Sequence, residues 1–382
     1  MKVGIVGNYG NNNKGDEAIL EGIIQQLEEG LQLNRADITV FSNQEEQMKE
    51  TFGVHARKLY YKKGGRMGTF LNTMKENKQA IQSLDLLIIG GGGIFMDLYG
   101  TESFLFGLYG YLAKKAGTPA VLYGVGAGPI KTKIGAFILK QLAHSVKLVT
   151  VRDPESKALM ESIGINRDIH IIGDPAFKLP VNNDTHSFHP SIKKIAITAV
   201  PYYHGSYWPT ENLAKYNDYV EGMAKNIDEL LKQDPTLEIN FFSTKQPQDT
   251  DVTKDIASRL TDPSLVTVYE DTFDAKEMAS FTHQHDLVIG TRLHSLILSL
   301  VSETPMMAVA YHHKVKDFMV MLELSDRVID IEALSSEPTY FLSVVNNMNK
   351  DWPQEQARYK TLSEEMKVKA FSGIELIKEK VL

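Results

Sequence analysis

Apolar runs of four to six residues recur along the chain, separated by longer stretches with the three-to-four-residue spacing of amphipathic helices. The run 2–6 reads as a strand, a loop rich in Gly and Asn follows, and positions 16–29 read as a helix that Asp16 can cap. Further strands fall at 37–41, 84–89, 120–123, 148–151 and 170–172, each followed by Gly, Pro, Asp or a charged helix start. This alternation predicts a parallel sheet covered on both faces.

Positions 178–193 interrupt the pattern with a polar stretch that holds two prolines, and the pattern then restarts. Strands are expected at 195–200, 237–242, 265–269, 287–289, 306–310 and 327–329, with helices at 214–231, 253–260, 292–301 and 315–322. The expected fold class is α/β: two Rossmann-like doubly wound domains facing across a cleft, 1–180 and 181–350. The remainder, 351–382, reads as a helix over 354–380 that crosses back to the first domain.

Composition narrows the functional classes. A net charge of −7 argues against general nucleic-acid binding, so an anionic ligand must be drawn by a local cluster of cations. The absence of cysteine removes disulfides, thiolate metal sites and cysteine nucleophiles, and fits a reducing compartment. No stretch reaches the length of apolar sequence that a spanning helix needs and no leader precedes the first strand, so a cytoplasmic location is expected.

The candidate chemistry gathers where strands end. In the segment 286–295 a buried strand and a glycine turn lead into a helix whose entry carries Arg292, His294 and Ser295, at the sheet edge where such folds bind anions. Gly90, Gly91, Gly92 and Gly93 follow the strand 84–89; without side chains their amides can approach a phosphate or carboxylate, or allow a helix to pack closely. Arg152 ends the strand 148–151, where it can grip an anion or pair with Asp153, Glu155 or Asp174. Asp153 and Pro154 open the next helix. Lys314 follows the strand 306–310. The first loop, with Tyr9 and Asn12, has glycine spacing that matches neither a dinucleotide fingerprint nor a phosphate loop, and the second strand ends in Ser42 with no acidic ribose partner. A nicotinamide cofactor is therefore not expected.

Six stretches, in order, carry a resemblance: Gly-Asn-Tyr-Gly to Gly-Asp-Glu-Ala-Ile-Leu near the start, Gly-Gly-Gly-Gly-Ile-Phe-Met-Asp, Val-Arg-Asp-Pro-Glu-Ser, Gly-Asp-Pro-Ala-Phe, Thr-Arg-Leu-His-Ser and Tyr-His-His-Lys-Val. Together they resemble the polysaccharide pyruvyltransferase family as far as about Phe318, with Asn8 and the His312-His313 pair as departures from its commonest pattern. The resemblance implies a fold like that of GT-B glycosyltransferases and transfer of the enolpyruvyl unit of phosphoenolpyruvate to a sugar diol as a cyclic ketal. It also implies that Arg152, His294 and Lys314 contact the donor, with phosphoenolpyruvate as co-substrate and no further cofactor.

Those residue types suit that donor, whose carboxylate and phosphate need fixed cations and backbone amides, and whose methylene carbon must gain a proton. A protonated His294 can supply it, or a neutral His294 can instead remove the hydroxyl proton. Acceptor contacts are expected from Tyr9, Asn12, Asp97, Tyr202 and Tyr203, the last two in an aromatic group with His204, Tyr207 and Trp208. Arg57, Lys58, Tyr60, Tyr61, Lys62, Lys63 and Arg66 form a basic, aromatic segment that reads as a solvated loop or as one suited to a lipid-linked pyrophosphate or the inner membrane leaflet. No metal site is expected, since His283 and His285, and Asp249 and Asp251, fall at helix ends where capping or exposure accounts for them. The rival readings are a nucleotide-sugar glycosyltransferase in the same fold and a non-catalytic anion-binding protein.

Overall fold

The computed structural model describes residues 1–10, 13–98, 100–181, 189–208 and 210–382, the side chain of Arg66 excepted. The chain forms two compact units, 1–180 with 366–382, and 181–365. The last helix, Trp352–Lys380, belongs to the second unit through Glu365 and to the first from Met366.

The first unit is built on seven parallel strands: β1 (Val3–Val6), β2 (Ile38–Phe41), β3 (His55–Arg57), β4 (Leu86–Phe95), β5 (Ala120–Ala127), β6 (Leu148–Val151) and β7 (His170–Ile171), in the order β3-β2-β1-β4-β5-β6-β7. Both faces of such a sheet are covered, which is why β1, β4, β5 and β6 are apolar along almost their whole length and buried. The order reverses between β1 and β4, whose registers pair Val3 with Leu86 and Val6 with Ile89. A crevice at such a reversal is where doubly wound folds bind ligands.

The second unit repeats the plan with β8 (Lys194–Ile197), β9 (Glu238–Phe241), β10 (Val266–Val268), β11 (Leu287–Gly290), β12 (Met306–Ala310) and β13 (Val328–Asp330), ordered β10-β9-β8-β11-β12-β13. Its reversal lies between β8 and β11, where Ile195 pairs with Leu287 and Ile197 with Ile289. Two doubly wound parallel sheets were predicted, and two are present.

Three local readings are corrected. The strand does not end at 89: β4 continues through the glycine run to Phe95, with Gly90 opposite Tyr123 and Gly92 opposite Val125. The first helix begins at Lys14, capped by Asn13, whose side chain accepts from the Gly15 amide at 3.1 Å; Asp16 lies inside the first turn. The basic segment is in part the edge strand β3, and its continuation is tied to the helix Gly65–Gln82 by Tyr61 and Lys63 amides donating to Thr73 and Thr69 hydroxyls.

Candidate functional site

In the first unit the strand ends at the reversal carry a closely packed polar cluster. Gly91 and Gly92 have φ of +74°, and a Cβ on Gly91 would come within 2.3 Å of Ile19 and 2.6 Å of the Tyr9 hydroxyl. The glycines thus let the helix Lys14–Leu31 and Tyr9 lie directly on the strand. Gly91 and Gly92 are buried and Gly93 is half-buried, so Gly93 is the more open of the three to a ligand. Tyr9, expected at the acceptor, is 3% exposed and donates its hydroxyl to the Gly90 carbonyl at 2.6 Å, so it braces the strand. Asn12 lies outside the described residues.

Asp97 is also corrected. Its carboxylate accepts from the Thr132 amide at 2.8 Å and hydroxyl at 2.6 Å, and from the Lys131 amide. Desolvation opposes its charge, but these donors hold it below the usual carboxylate range, and it anchors its own loop region. Arg152 is buried over Gly126, where any Cβ would meet the guanidinium at about 3 Å. Its Nη1 donates to Asp174 at 2.9 Å and its Nε to Asp153 at 3.2 Å. Asp153 also caps the helix Pro154–Ser162, as the sequence predicts.

Asp16 was read only as a cap, and the structure gives it a different character. It is 6% exposed, yet among the described residues both side-chain donors it receives, the Asn8 and Asn13 amides at 3.1 and 2.9 Å, go to Oδ2. Burial, with Asp174 adding to it, outweighs Asn8, Arg152 and Asn13 and pushes its pKa up to about 6. A carboxyl with that value can exchange protons near neutrality. The signal available in the sequence was its place in Gly-Asp-Glu directly after the first strand's loop, which a cap explains equally well.

In the second unit four strand ends contribute. Thr198, after β8, accepts from the Thr291 amide at 3.0 Å and meets the Ser295 hydroxyl at 3.1 Å, which fixes the turn after β11. The helix Leu293–Val301 starts there, with Ser295 buried and its hydroxyl donating back to Arg292 at 2.6 Å. His294, half-buried, is that helix's second residue. Lys314 is likewise second in the helix His313–Met321, which follows β12. Because β11 and β12 are neighbours, with Gly290 opposite Ala308, His294 and Lys314 occupy equivalent places at two helix N-termini on one sheet edge. His312 caps the second helix by accepting from the Lys314 amide; partial burial, then His313 and Lys314, push its pKa down to about 4 and keep the ring neutral.

Arg292 does not present an open guanidinium. Its fork closes on Asp249, and Nη1 donates to the Tyr207 hydroxyl at 3.1 Å. This corrects its expected role as a free anion contact: a buried carboxylate already neutralises it. The Tyr207 ring also carries Lys245 at 4.8 Å from its centroid. Tyr202 is 6% exposed and donates to Glu332 at 2.7 Å, so it is core rather than acceptor contact. Tyr203 is half-buried and stacks on Trp208 at 4.9 Å, with Lys215 4.9 Å from its ring centroid. Among the described residues no group of three His, Asp or Glu could hold a metal ion. His285 is held between the Phe281 carbonyl and Asn240, and burial lowers its pKa to about 4.

Comparison with known proteins gives these sites a context. A curated relative, the amylovoran biosynthesis protein AmsJ of Erwinia amylovora, is 26% identical over 387 residues, spanning 87% of this chain and 89% of that protein. Among solved structures, a putative UDP-N-acetylglucosamine 2-epimerase from Listeria monocytogenes matches with TM-score 0.63 and 14% identity over 99% of this chain and 94% of that one. The UDP-GlcNAc 2-epimerase of Neisseria meningitidis bound to UDP-GlcNAc matches with TM-score 0.63 and 13% identity over 100% and 99%. At such identities the structures share a GT-B type fold and nothing narrower. The family profile described as polysaccharide pyruvyl transferase matches residues 13–313, which takes in every candidate site residue named above except Tyr9, Asn12 and Lys314. The chain belongs to the polysaccharide pyruvyl transferase family and is an enzyme of that class.

Proposed function

We propose that the enzyme transfers the enolpyruvyl unit of phosphoenolpyruvate to two hydroxyls of one sugar, in a cell-surface polysaccharide or its lipid-linked precursor, giving a pyruvate ketal and phosphate. The observation that carries this reading is the equivalent placing of His294 and Lys314 at two adjacent helix N-termini. Amides and cations there suit a small ligand with two anionic groups. Lys314 offsets donor charge, and His294, protonated beside that charge, gives its proton to the methylene carbon as the first hydroxyl attacks the neighbouring carbon.

The proton balance asks for a second group. Two sugar hydroxyls lose protons in each turnover; one proton ends on the new methyl and the other on departing phosphate. In the first unit Asp16 is a carboxyl that titrates near neutrality and is therefore suited to proton exchange. For Arg152 to touch the donor, a ligand carboxylate or phosphate joins or replaces Asp153 and Asp174 among its partners.

Incubation with phosphoenolpyruvate and a panel of glycans, following phosphate release and product mass, tests the reading. A product heavier than its glycan by one pyruvyl ketal, with one phosphate per turnover, is expected. Inertness toward phosphoenolpyruvate together with turnover of a nucleotide sugar would replace it with the glycosyltransferase reading.

A further inference from the structure

Charge is segregated along this chain. Residues 51–75 and 103–152 contain thirteen Lys and Arg and no Asp or Glu, although the chain as a whole carries a net charge of −7. Three helices take up much of these segments: Gly65–Gln82, Glu102–Ala116 and Lys133–Ser145. Between them they hold two acids, Glu76 and Glu102.

The helices pack side by side. A Cβ on Gly107 would meet Ile138 at 2.6 Å and one on Gly110 would meet Leu142 at 2.5 Å, so the second and third run parallel in close contact. Asn77 donates to the Tyr109 hydroxyl at 2.9 Å and ties the first to the second. One turn back from the Gly107 contact, Phe104 and Ile134 come level. Phe104, Ile134 and Phe137 are 47, 64 and 63% exposed, and Met67 and Leu71, near the start of the first helix, are 71 and 51% exposed. Exposed Lys62, Lys63, Lys131 and Lys133 stand at or just before the same helix starts, and Asp97 fixes the loop that presents Lys131.

We propose that this face of the first unit, with Met67, Leu71, Phe104, Ile134 and Phe137 at its centre and lysines at its rim, docks on an anionic lipid bilayer. A bilayer fits both parts of the surface: the apolar side chains enter the headgroup boundary, and the lysines meet negative headgroups. A second copy would set lysine rim against lysine rim. No helix among the described residues is long and apolar enough to cross a membrane, so the contact is peripheral. The inference stands apart from the donor chemistry, since a chain inactive toward phosphoenolpyruvate would bind lipid equally well.

Flotation of the full-length protein with phosphatidylcholine vesicles, with and without phosphatidylglycerol, tests it. The protein is expected to float with the anionic vesicles at low salt and not with neutral ones. Lys131→Glu with Lys133→Glu should weaken that partitioning on the order of fivefold or more per lysine. Ile134→Ser with Phe137→Ser should abolish binding at physiological salt while leaving the melting temperature unchanged, because both residues are exposed. Absence of flotation at low salt would overturn the proposal, as would full binding by the serine variant. So would sedimentation showing that wild type is a dimer which the serine substitutions dissociate without any change in flotation.

Discussion

Arg292 closes both arms of its guanidinium on Asp249, Nε to Oδ2 at 2.8 Å and Nη2 to Oδ1 at 2.5 Å, with the carboxylate wholly buried. Asp249 also accepts from the Lys245 amide at 2.9 Å and the Thr244 hydroxyl at 3.1 Å, so its lone pairs are well satisfied. Removing one partner leaves a buried, uncompensated charge, which typically costs about 3 kcal/mol or more. Asp249→Ala should lower the urea midpoint accordingly, and Arg292→Leu on top of it should recover part of the loss. Strict additivity of the two losses would show that the pair is not one unit.

Gly92 offers a second test, this time of the first unit. Its φ of +74° disfavours any side chain, and a Cβ there would lie 2.9 Å from Asp16 Oδ1. Gly92→Ala should cost about 1 to 2 kcal/mol in left-handed strain, and the crowding should displace the Asp16 carboxylate and lower turnover. Unchanged stability and turnover would mean that the backbone relaxes freely at this point.

Much of this architecture was legible in the sequence because a doubly covered parallel sheet writes its strands as unbroken apolar runs; β1, β5, β6 and β12 are such runs. The strand β3 was missed because His55, Ala56 and Arg57 form a short edge with no apolar signature. The strand was expected to stop before Gly90 because glycine usually breaks a strand, yet here its lack of a side chain is what lets helix, Tyr9 and strand meet. Arg152, His294 and Lys314 stand just past strand ends, positions that the apolar runs mark in the sequence. Their partners were harder to see. Asp249 lies 43 residues before Arg292 and Glu332 lies 130 after Tyr202, and no local pattern links such pairs. Asp16 was read only as a cap because its burial arises from the packing around it, including Gly92, and not from its neighbours in sequence.

The raised Asp16 value has a consequence for stability with a definite sign. In the unfolded chain the carboxyl titrates near 3.8; in the fold burial moves it to about 6. Between those values the native state holds a proton that the unfolded state has released, so unfolding free energy falls as pH rises through this window. Above about pH 6 the full penalty applies, on the order of 3 kcal/mol. Asp16→Asn should therefore raise the melting temperature relative to wild type at about pH 8 and bring little or no gain below the unfolded value. A difference that stays constant across this range would contradict the assignment of the shift to Asp16.

Metal dependence separates the proposed chemistry from a Lewis-acid alternative. In the proposed reaction charge on the donor is met by Lys314 and helix amides and His294 supplies the proton, so the scheme calls for no divalent ion. Turnover should persist in chelator at its ordinary rate. Loss of activity that zinc or magnesium restores would require a different scheme.

The sharpest kinetic contrast lies between the paired helix starts. In the proposed reaction Lys314 binds charge that is present in the free donor and grows as phosphate departs, so Lys314→Ala should raise the KM for phosphoenolpyruvate and lower kcat less strongly. His294 is asked to move a proton at the reacting carbon, so His294→Asn should reduce kcat by about two to four orders of magnitude while donor binding, followed by calorimetry, stays measurable. Because His294 must be protonated to act, wild-type kcat should fall as the imidazole loses its proton at high pH. The Asn variant's residual rate should lack that descending limb. Near-normal kcat in His294→Asn, or an unchanged alkaline limb, would remove the imidazole from the chemistry and leave it a structural side chain at the head of its helix.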